Sequence, residues 1–204
     1  MTSSPAPLLQ KPAALGRPRE FDADAALTAA LDLFWRQGYE ATSLDDLVRA
    51  MGISRSSFYG CFGSKHELLV AAIERYSEER LAALAGFAAG EPDAERALRA
   101  VLTALSNPGG GREGCFLVNC ATELAPHDPA VEAVSRRHLD RLEGLLADLI
   151  ERRAASAGEA PPEAVGARAA ALLSLALGAT LLRQAGTPPA RIEALLAAAE
   201  PLLG

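Results

Sequence analysis

Between residues 43 and 62 two short amphipathic segments flank a single glycine, and no other stretch constrains the fold as tightly. Leu44, Leu47, Val48 and Met51 fall at i, i+3, i+4 and i+7, which gathers apolar side chains on one face of a helix. Ser43 stands at the N-cap position, with Asp46 three residues on as a variant of the capping box. Gly52 makes the turn and Ser54 caps the next segment. Ile53 and Phe58 flank that cap at the separation of a hydrophobic staple, and Gly63 closes the segment.

The rest of the chain keeps the helical period. A first helix starts at Asp22, carries Leu27, Ala30, Leu31 and Phe34 on one stripe, and ends at Gly38. Ser64 and Glu67 predict a capping box for a fourth helix running through Leu68, Leu69, Ala72, Ile73 and Tyr76. Further helices are predicted over 93–106, 115–125, 130–156, 162–185 and 189–203, with a loop at 107–114 and a turn at 186–189. No sustained alternation of β-branched residues occurs, so the predicted fold is all-α. Residues 1–16, rich in Pro, Ala and Ser, read as a disordered arm. The expected division is that arm, a helix-turn-helix head over 17–66 and a helical body over 67–204.

Charge supports that division. The chain of 204 residues has a net charge of -6, yet residues 1–66 hold seven cations and seven acids. The acidity therefore lies in the body, while a neutral head is free to present a local basic face. Cys61, Cys115 and Cys120 are odd in number and widely spaced, unlike a disulfide framework. With no signal-peptide pattern, the expectation is a cytoplasmic protein. The longest uncharged run in the body, residues 169–182, is shorter than the roughly 20 residues of a membrane helix, so no membrane association is expected.

Two short helices and a glycine turn suit a DNA-reading unit, in which the second helix enters the major groove. At about 100° per residue, Phe58 and Phe62 face inward while Ser56, Ser57 and Gly60 face away, with Arg55 and Tyr59 at the edge. Arg55 has the donors for a guanine edge; Ser57 and Tyr59 have hydroxyls suited to phosphate. Lys65 lies at a helix start, where a cation and free N–H groups together attract phosphate. Hairpins of this kind also serve as plain structure in all-α proteins.

The stretch GRPREFDADAALTAALDLFWRQGYEATSLDDLVRAMGISRSSFYGCFGSKHELL, residues 16–69, resembles the N-terminal domain of TetR/AcrR-type transcription regulators. The resemblance implies a three-helix DNA-binding head, an effector-binding body and a homodimer on double-stranded DNA. It implies DNA contacts at Thr42, Ser43, Arg55, Ser56, Ser57, Tyr59 and Lys65, and an arm carrying Arg17 and Arg19. Ser56-Ser57 stands where the family commonly has Gly-Thr, and Cys61 where a His is frequent. These departures leave the base sequence unread.

In the body, Leu172, Leu175, Leu181, Leu182, Ile192, Leu195 and Leu196 crowd the last two helices and predict a four-helix dimer interface; an internal core is the alternative. Candidates to line a cavity for a small-molecule effector are Phe87, Cys115, Phe116, Asn119, Glu123, His127 and His138. Residues 114–119, Gly-Cys-Phe-Leu-Val-Asn, resemble a stretch in one branch of the family where a cysteine responds to electrophiles or oxidants. Cys115 follows a glycine at a predicted helix start, which favours thiolate. The resemblance implies a redox- or electrophile-sensing repressor using Cys115 as a second reading. A third is an all-α enzyme or binding protein whose hairpin is only structural. The glycine-rich 107–111 lacks the Lys-Ser/Thr of a phosphate loop, and the histidines lack metal-ligand spacing. No catalytic, metal or cofactor residue is expected, and Glu123, His127 and Asp128 read as solvated turn residues.

Overall fold

The computed structural model describes residues 21–107 and 112–198. The expected arm over 1–16, Arg17, Arg19 and the end of the last predicted helix lie outside them. Among the described residues nine helices form and no strand. In α1 (Ala23–Gln37) the Asp22 carboxylate accepts the N–H groups of Asp24 and Ala25, and Gly38 closes the helix. α2 (Leu44–Met51) has the full box: Ser43 Oγ accepts the Asp46 N–H while the Asp46 carboxylate accepts the Ser43 N–H. Gly52 then turns the chain at φ 65°, in the left-handed region where a side chain is strained.

α3 (Arg55–Phe62) starts with Ser54 Oγ accepting the Ser57 N–H. α4 (Lys65–Gly90) is capped by Ser64 Oγ on the Glu67 N–H. The expected reciprocal bond does not form, because the Ser64 N–H donates to the Phe62 carbonyl instead. The body follows as α5 (Ala94–Ser106), α6 (Phe116–Leu124), α7 (Pro129–Ala157), α8 (Val165–Gln184) and α9 (Pro189–Ala197).

Two cores hold these helices. The first packs Leu27, Leu31, Phe34, Leu47, Phe58, Phe62, Leu68 and Ile73 of α1–α4 against Phe116, Leu117 and Val131 of α6 and α7. The second packs Leu81 and Leu84 of α4 against Leu98 and Val101 of α5, Leu146 and Ile150 of α7 and Leu172 of α8. Each fully buried side chain of this size contributes about 2 kcal/mol, so both clusters are substantial. α4 runs unbroken through both. The packing of the head thus extends beyond residue 66 and draws in two helices distant in sequence.

By length and composition α8 is apolar enough to span a bilayer, although its longest uncharged run is shorter than a span. It instead packs along α5, α7 and α9, burying Ala169, Leu172, Leu173, Ala176 and Ala179. This accounts for the apolarity of one face of α8 and leaves that of the other unburied. The packing corrects the predicted dimer surface at two positions. Leu172 and Ile192 are fully buried inside one chain and have nothing to offer a partner. Leu181 is 65% exposed, and Leu175, Leu182, Leu195 and Leu196 are half-buried.

Candidate nucleic-acid interface and body cavity

α3 is anchored from one side only. Phe58 is fully buried and Phe62 nearly so, their ring centroids 6.1 Å apart. With that face committed, Arg55, Ser56, Tyr59 and Gly60 are exposed and Ser57 is half-buried. Tyr59 is 55% exposed and stands edge-on to Phe58 at 5.4 Å, so its hydroxyl points along a braced ring. Ser57 Oγ lies 2.9 Å from Ser54 Oγ.

Arg55 is not free. Its Nη2 donates to Asp45 Oδ1 on α2 at 2.5 Å, and this bond raises the guanidinium's pKa. Lys65, in the first turn of α4, rests its Nζ 4.1 Å from the Tyr39 ring centroid, a cation–π contact that fixes the ammonium beside the helix start. Ser43 is exposed, but its hydroxyl donates to Asp46 Oδ2 at 2.5 Å. Thr42 requires a correction. It is fully buried and its hydroxyl donates to the Gly38 carbonyl at 2.6 Å, so it braces the α1–α2 loop and presents no surface to DNA.

The head is tied to the body by polar latches that periodicity does not reveal. The Glu123 carboxylate on α6 accepts the N–H groups of Tyr39 and Glu40. Asp128 caps α7 through the N–H groups of Ala130 and Val131 and also meets His66 Nε2 at 2.6 Å. Those bonds hold the Asp128 carboxyl below the usual range against the desolvation that raises it. Glu123 and Asp128 are therefore structural partners of the head; Glu123 lies on α6 and stays exposed, and Asp128 is half-buried. A third tie gathers at the Glu113 carbonyl, which accepts from Trp35 Nε1, Asn119 Nδ2 and Gln184 Nε2. Gly114 beside it has φ 70°, and a Cβ there would lie 2.2 Å from Gln184 Nε2.

One cavity lies where the two cores meet. Tyr76, Arg80, Leu105, Cys115, Val118, His138, Leu139, Leu142 and Leu177 line it, and its volume of about 10 Å³ is room for roughly one water molecule. Of the predicted lining, Cys115 and His138 are there. Phe116 is buried against Trp35 and Tyr76 in the head core. Asn119 is held between Glu113 and Gln184, while Glu123 reaches the α1–α2 loop. Phe87 is 49% exposed and His127 is exposed in a turn, so neither borders the cavity. Tyr76 and Arg80 were missed: they carry the helical stripe of α4, and only its register against α7 turns them toward this space.

Cys115 and Cys120 are buried, and Cys61 is half-buried. Cys115 lies 3.4 Å from Tyr76 Oη, and burial with the nearby Glu123 and Cys115 pushes the Cys120 thiol up to about 12. The Tyr76 phenol is also raised, by burial first. His138 is 2% exposed, its Nδ1 2.8 Å from Ser77 Oγ. Burial, then Arg141 and Arg80, lower its pKa to about 4, so the ring is neutral near pH 7.

An exposed third helix on a three-helix head, joined to an all-helical body, defines a helix-turn-helix DNA-binding regulator. Residues 26–72 match the model for bacterial regulatory proteins of the tetR family. The chain is 39% identical over 153 residues to the HTH-type transcriptional repressor ComR of Escherichia coli (strain K12), covering 72% of this chain and 71% of that protein. It is 34% identical over 133 residues to the uncharacterized HTH-type transcriptional regulator YezE of Bacillus subtilis (strain 168), covering 63% and 68%. Among solved structures it is similar to a cysteine mutant of the TetR family regulator CifR complexed with 26-base-pair operator DNA. That match has 29% identity and a TM-score of 0.75, covering 92% of this chain and 98% of the other. The chain belongs to the TetR family, and is a DNA-binding transcription regulator.

Proposed function

We propose that the protein is a cytoplasmic repressor that binds a near-palindromic operator as a homodimer and is released by a small-molecule effector. One observation carries the DNA contact. α3 turns Phe58 and Phe62 into the head and leaves Arg55, Ser56 and Tyr59 outward, with Lys65 beside them at a helix start. The similarity to ComR, named a repressor, and to CifR, solved on its operator, supports the same reading. Dimerisation is assigned to the outer face of α8 and α9, at Leu175, Leu181, Leu182, Leu195 and Leu196. Two heads on one dimer would meet successive major grooves, which is why a near-palindrome is expected. An effector that enters the body and prefers one spacing of the heads weakens operator affinity by that preference.

A gel shift with the DNA upstream of the protein's own gene tests this. A specific band that weakens steeply with salt is expected. Arg55→Ala should relax base preference. Lys65→Ala should weaken all sequences alike and flatten the slope of log affinity against log salt by about one. Tyr59→Ala and Lys65→Ala that both leave affinity intact would refute the contact assignment.

A further inference from the structure

The cavity wall has a one-sided chemistry. No Asp or Glu lines it; its polar groups are Arg80, His138, Tyr76 and Cys115, and the rest is aliphatic. Arg75, Arg96, Arg99, Arg137 and Arg153 each pair with a carboxylate. Arg80 has no such partner among the described residues; its Nη2 donates to the Ala104 carbonyl in the last turn of α5. Arg152 and Arg183 also rest on carbonyls, but neither borders the cavity. A guanidinium offers five N–H donors in a planar fork that matches a carboxylate, and Arg80 has most of them uncommitted.

His138 adds a second donor. Ser77 Oγ has one proton, and among the described residues its hydrogen-bond partner is His138 Nδ1. Taking the Ser77 hydroxyl as the donor and Nδ1 as the acceptor, the neutral ring carries its single hydrogen on Nε2. Nε2 has no protein partner among the described residues, although the side chain is almost wholly buried and lines the cavity. Tyr76 Oη, 3.4 Å from Cys115 Sγ, stands on the same wall.

The cavity is narrow but its position lets it widen. Tyr76, Cys115 and Val118 belong to the head core, whereas Leu105, Leu139, Leu142 and Leu177 belong to the body core. Val118, Leu139 and Leu177 are only half-buried, so the seam between the cores is its yielding side. A guest there parts two clusters without cutting through either.

We propose that this seam cavity is the effector site and that its ligand is a small organic monoanion with an apolar body, its carboxylate held by Arg80 and the Nε2–H of His138. This rests on the effector-released reading above and adds the chemical class of the ligand. The apolar body meets Leu105, Leu139, Leu142 and Leu177, and a cationic ligand is disfavoured by a wall of donors with no acid.

Matched probes test it on the full chain. Octanoate and benzoate are compared with octanamide and benzamide in thermal melts and in operator gel shifts on the same samples. The acids should raise the melting temperature saturably and release DNA; the amides, which keep the shape and lose the charge, should do neither. Arg80→Gln should weaken the response to acid roughly 10- to 100-fold, and Arg80→Lys should restore part of it. If Arg80 only caps α5, Arg80→Gln lowers the melting temperature of the free protein and leaves the acid-to-amide ratio unchanged, which overturns the proposal. Equal responses to acids and amides, or none to either acid at millimolar concentration, also overturn it. Leu177→Phe fills the cavity without touching Arg80 and should abolish the acid response; a retained response places the ligand elsewhere and refutes the assignment. Operator binding that persists while acid binding fails sinks only this inference, whereas ligand-free protein that binds no operator sinks the regulator reading itself.

Discussion

The Glu123 carboxylate on α6 spans the head-body junction to accept the N–H groups of Tyr39 at 3.2 Å and Glu40 at 3.0 Å. These donors lie in the α1–α2 loop, just after Gly38, whose missing Cβ leaves the carboxylate its place: an added Cβ would come within 3.3 Å of Glu123 Oε2. α6 therefore faces the cavity with Val118 while its other end holds the loop that leads into α2. Removing the clamp should loosen the head locally. Glu123→Ala is expected to cost about 1 kcal/mol, the strength of charge-assisted bonds discounted for exposure. Hydrogen exchange at the Tyr39 and Glu40 amides should accelerate, with Glu123→Gln intermediate because one carbonyl oxygen remains. Unchanged protection of those two amides would show that the clamp is not formed in solution.

Arg55 and Asp45 make the second testable pair. In the proposed operator contact, Asp45 competes with DNA for the Arg55 guanidinium through Nη2. Asp45→Asn removes the competitor and one negative charge facing the phosphates. Operator affinity measured by gel shift or anisotropy should rise by up to about fivefold. Arg55→Ala in the same background should cancel the gain. A fall in affinity on Asp45→Asn would mean that Asp45 aims the guanidinium at DNA.

What was legible in the sequence was local. The cap at Asp22, the Ser43–Asp46 box, the Gly52 turn and the cap at Ser54 each join groups a few residues apart, so spacing reveals them. The buried pair Phe58 and Phe62, one helical turn apart, was equally readable and oriented the rest of α3. Glu123 was not, because its partners are more than 80 residues away and nothing in its own neighbourhood marks it. Arg80 was invisible for a similar reason: only the register of α4 against α5 and α7 brings it to the cavity. Thr42 sits at a motif position, but its hydroxyl is used inside the loop, which a motif does not show. The helix period did hold one warning. Leu172 and Leu181 are nine residues apart, about half a turn at 100° each, so they lie on opposite faces of α8 and cannot both serve one interface.

His138 predicts a pH dependence of stability. Its folded pKa is about 4 against an ordinary 6.5, lowered by burial and by Arg141 and Arg80. Between these values the unfolded chain binds the proton and the folded chain does not. The stabilisation is thus fully present above pH 6.5 and is lost as pH falls toward 4, with a slope approaching about 1.4 kcal/mol per pH unit. Urea unfolding at pH 7 and pH 5.5 should show a loss of roughly 1 kcal/mol that His138→Gln does not share. His66 and His127 are common to both proteins and cancel in the comparison. Equal losses in both would mean that His138 is protonated in the folded state.

With the dimer interface proposed on the outer face of α8 and α9, the two faces of α8 would separate assembly from folding. Leu181 is 65% exposed on one face, whereas Leu172 is fully buried on the other. Leu181→Glu should leave the monomer folded, since the new carboxylate replaces a side chain already in water. It should convert a dimer to monomers in gel filtration with light scattering, because a charge at the centre of an apolar interface loses its hydration without gaining a partner. Operator affinity should collapse with it, as two half-sites are no longer bound together. Leu172→Ala should do the reverse: the protein stays dimeric while unfolding stability falls by about 2–5 kcal/mol from the cavity left in the body core. A dimer that survives Leu181→Glu would remove α8 and α9 from the interface and leave the pairing of the heads to another surface.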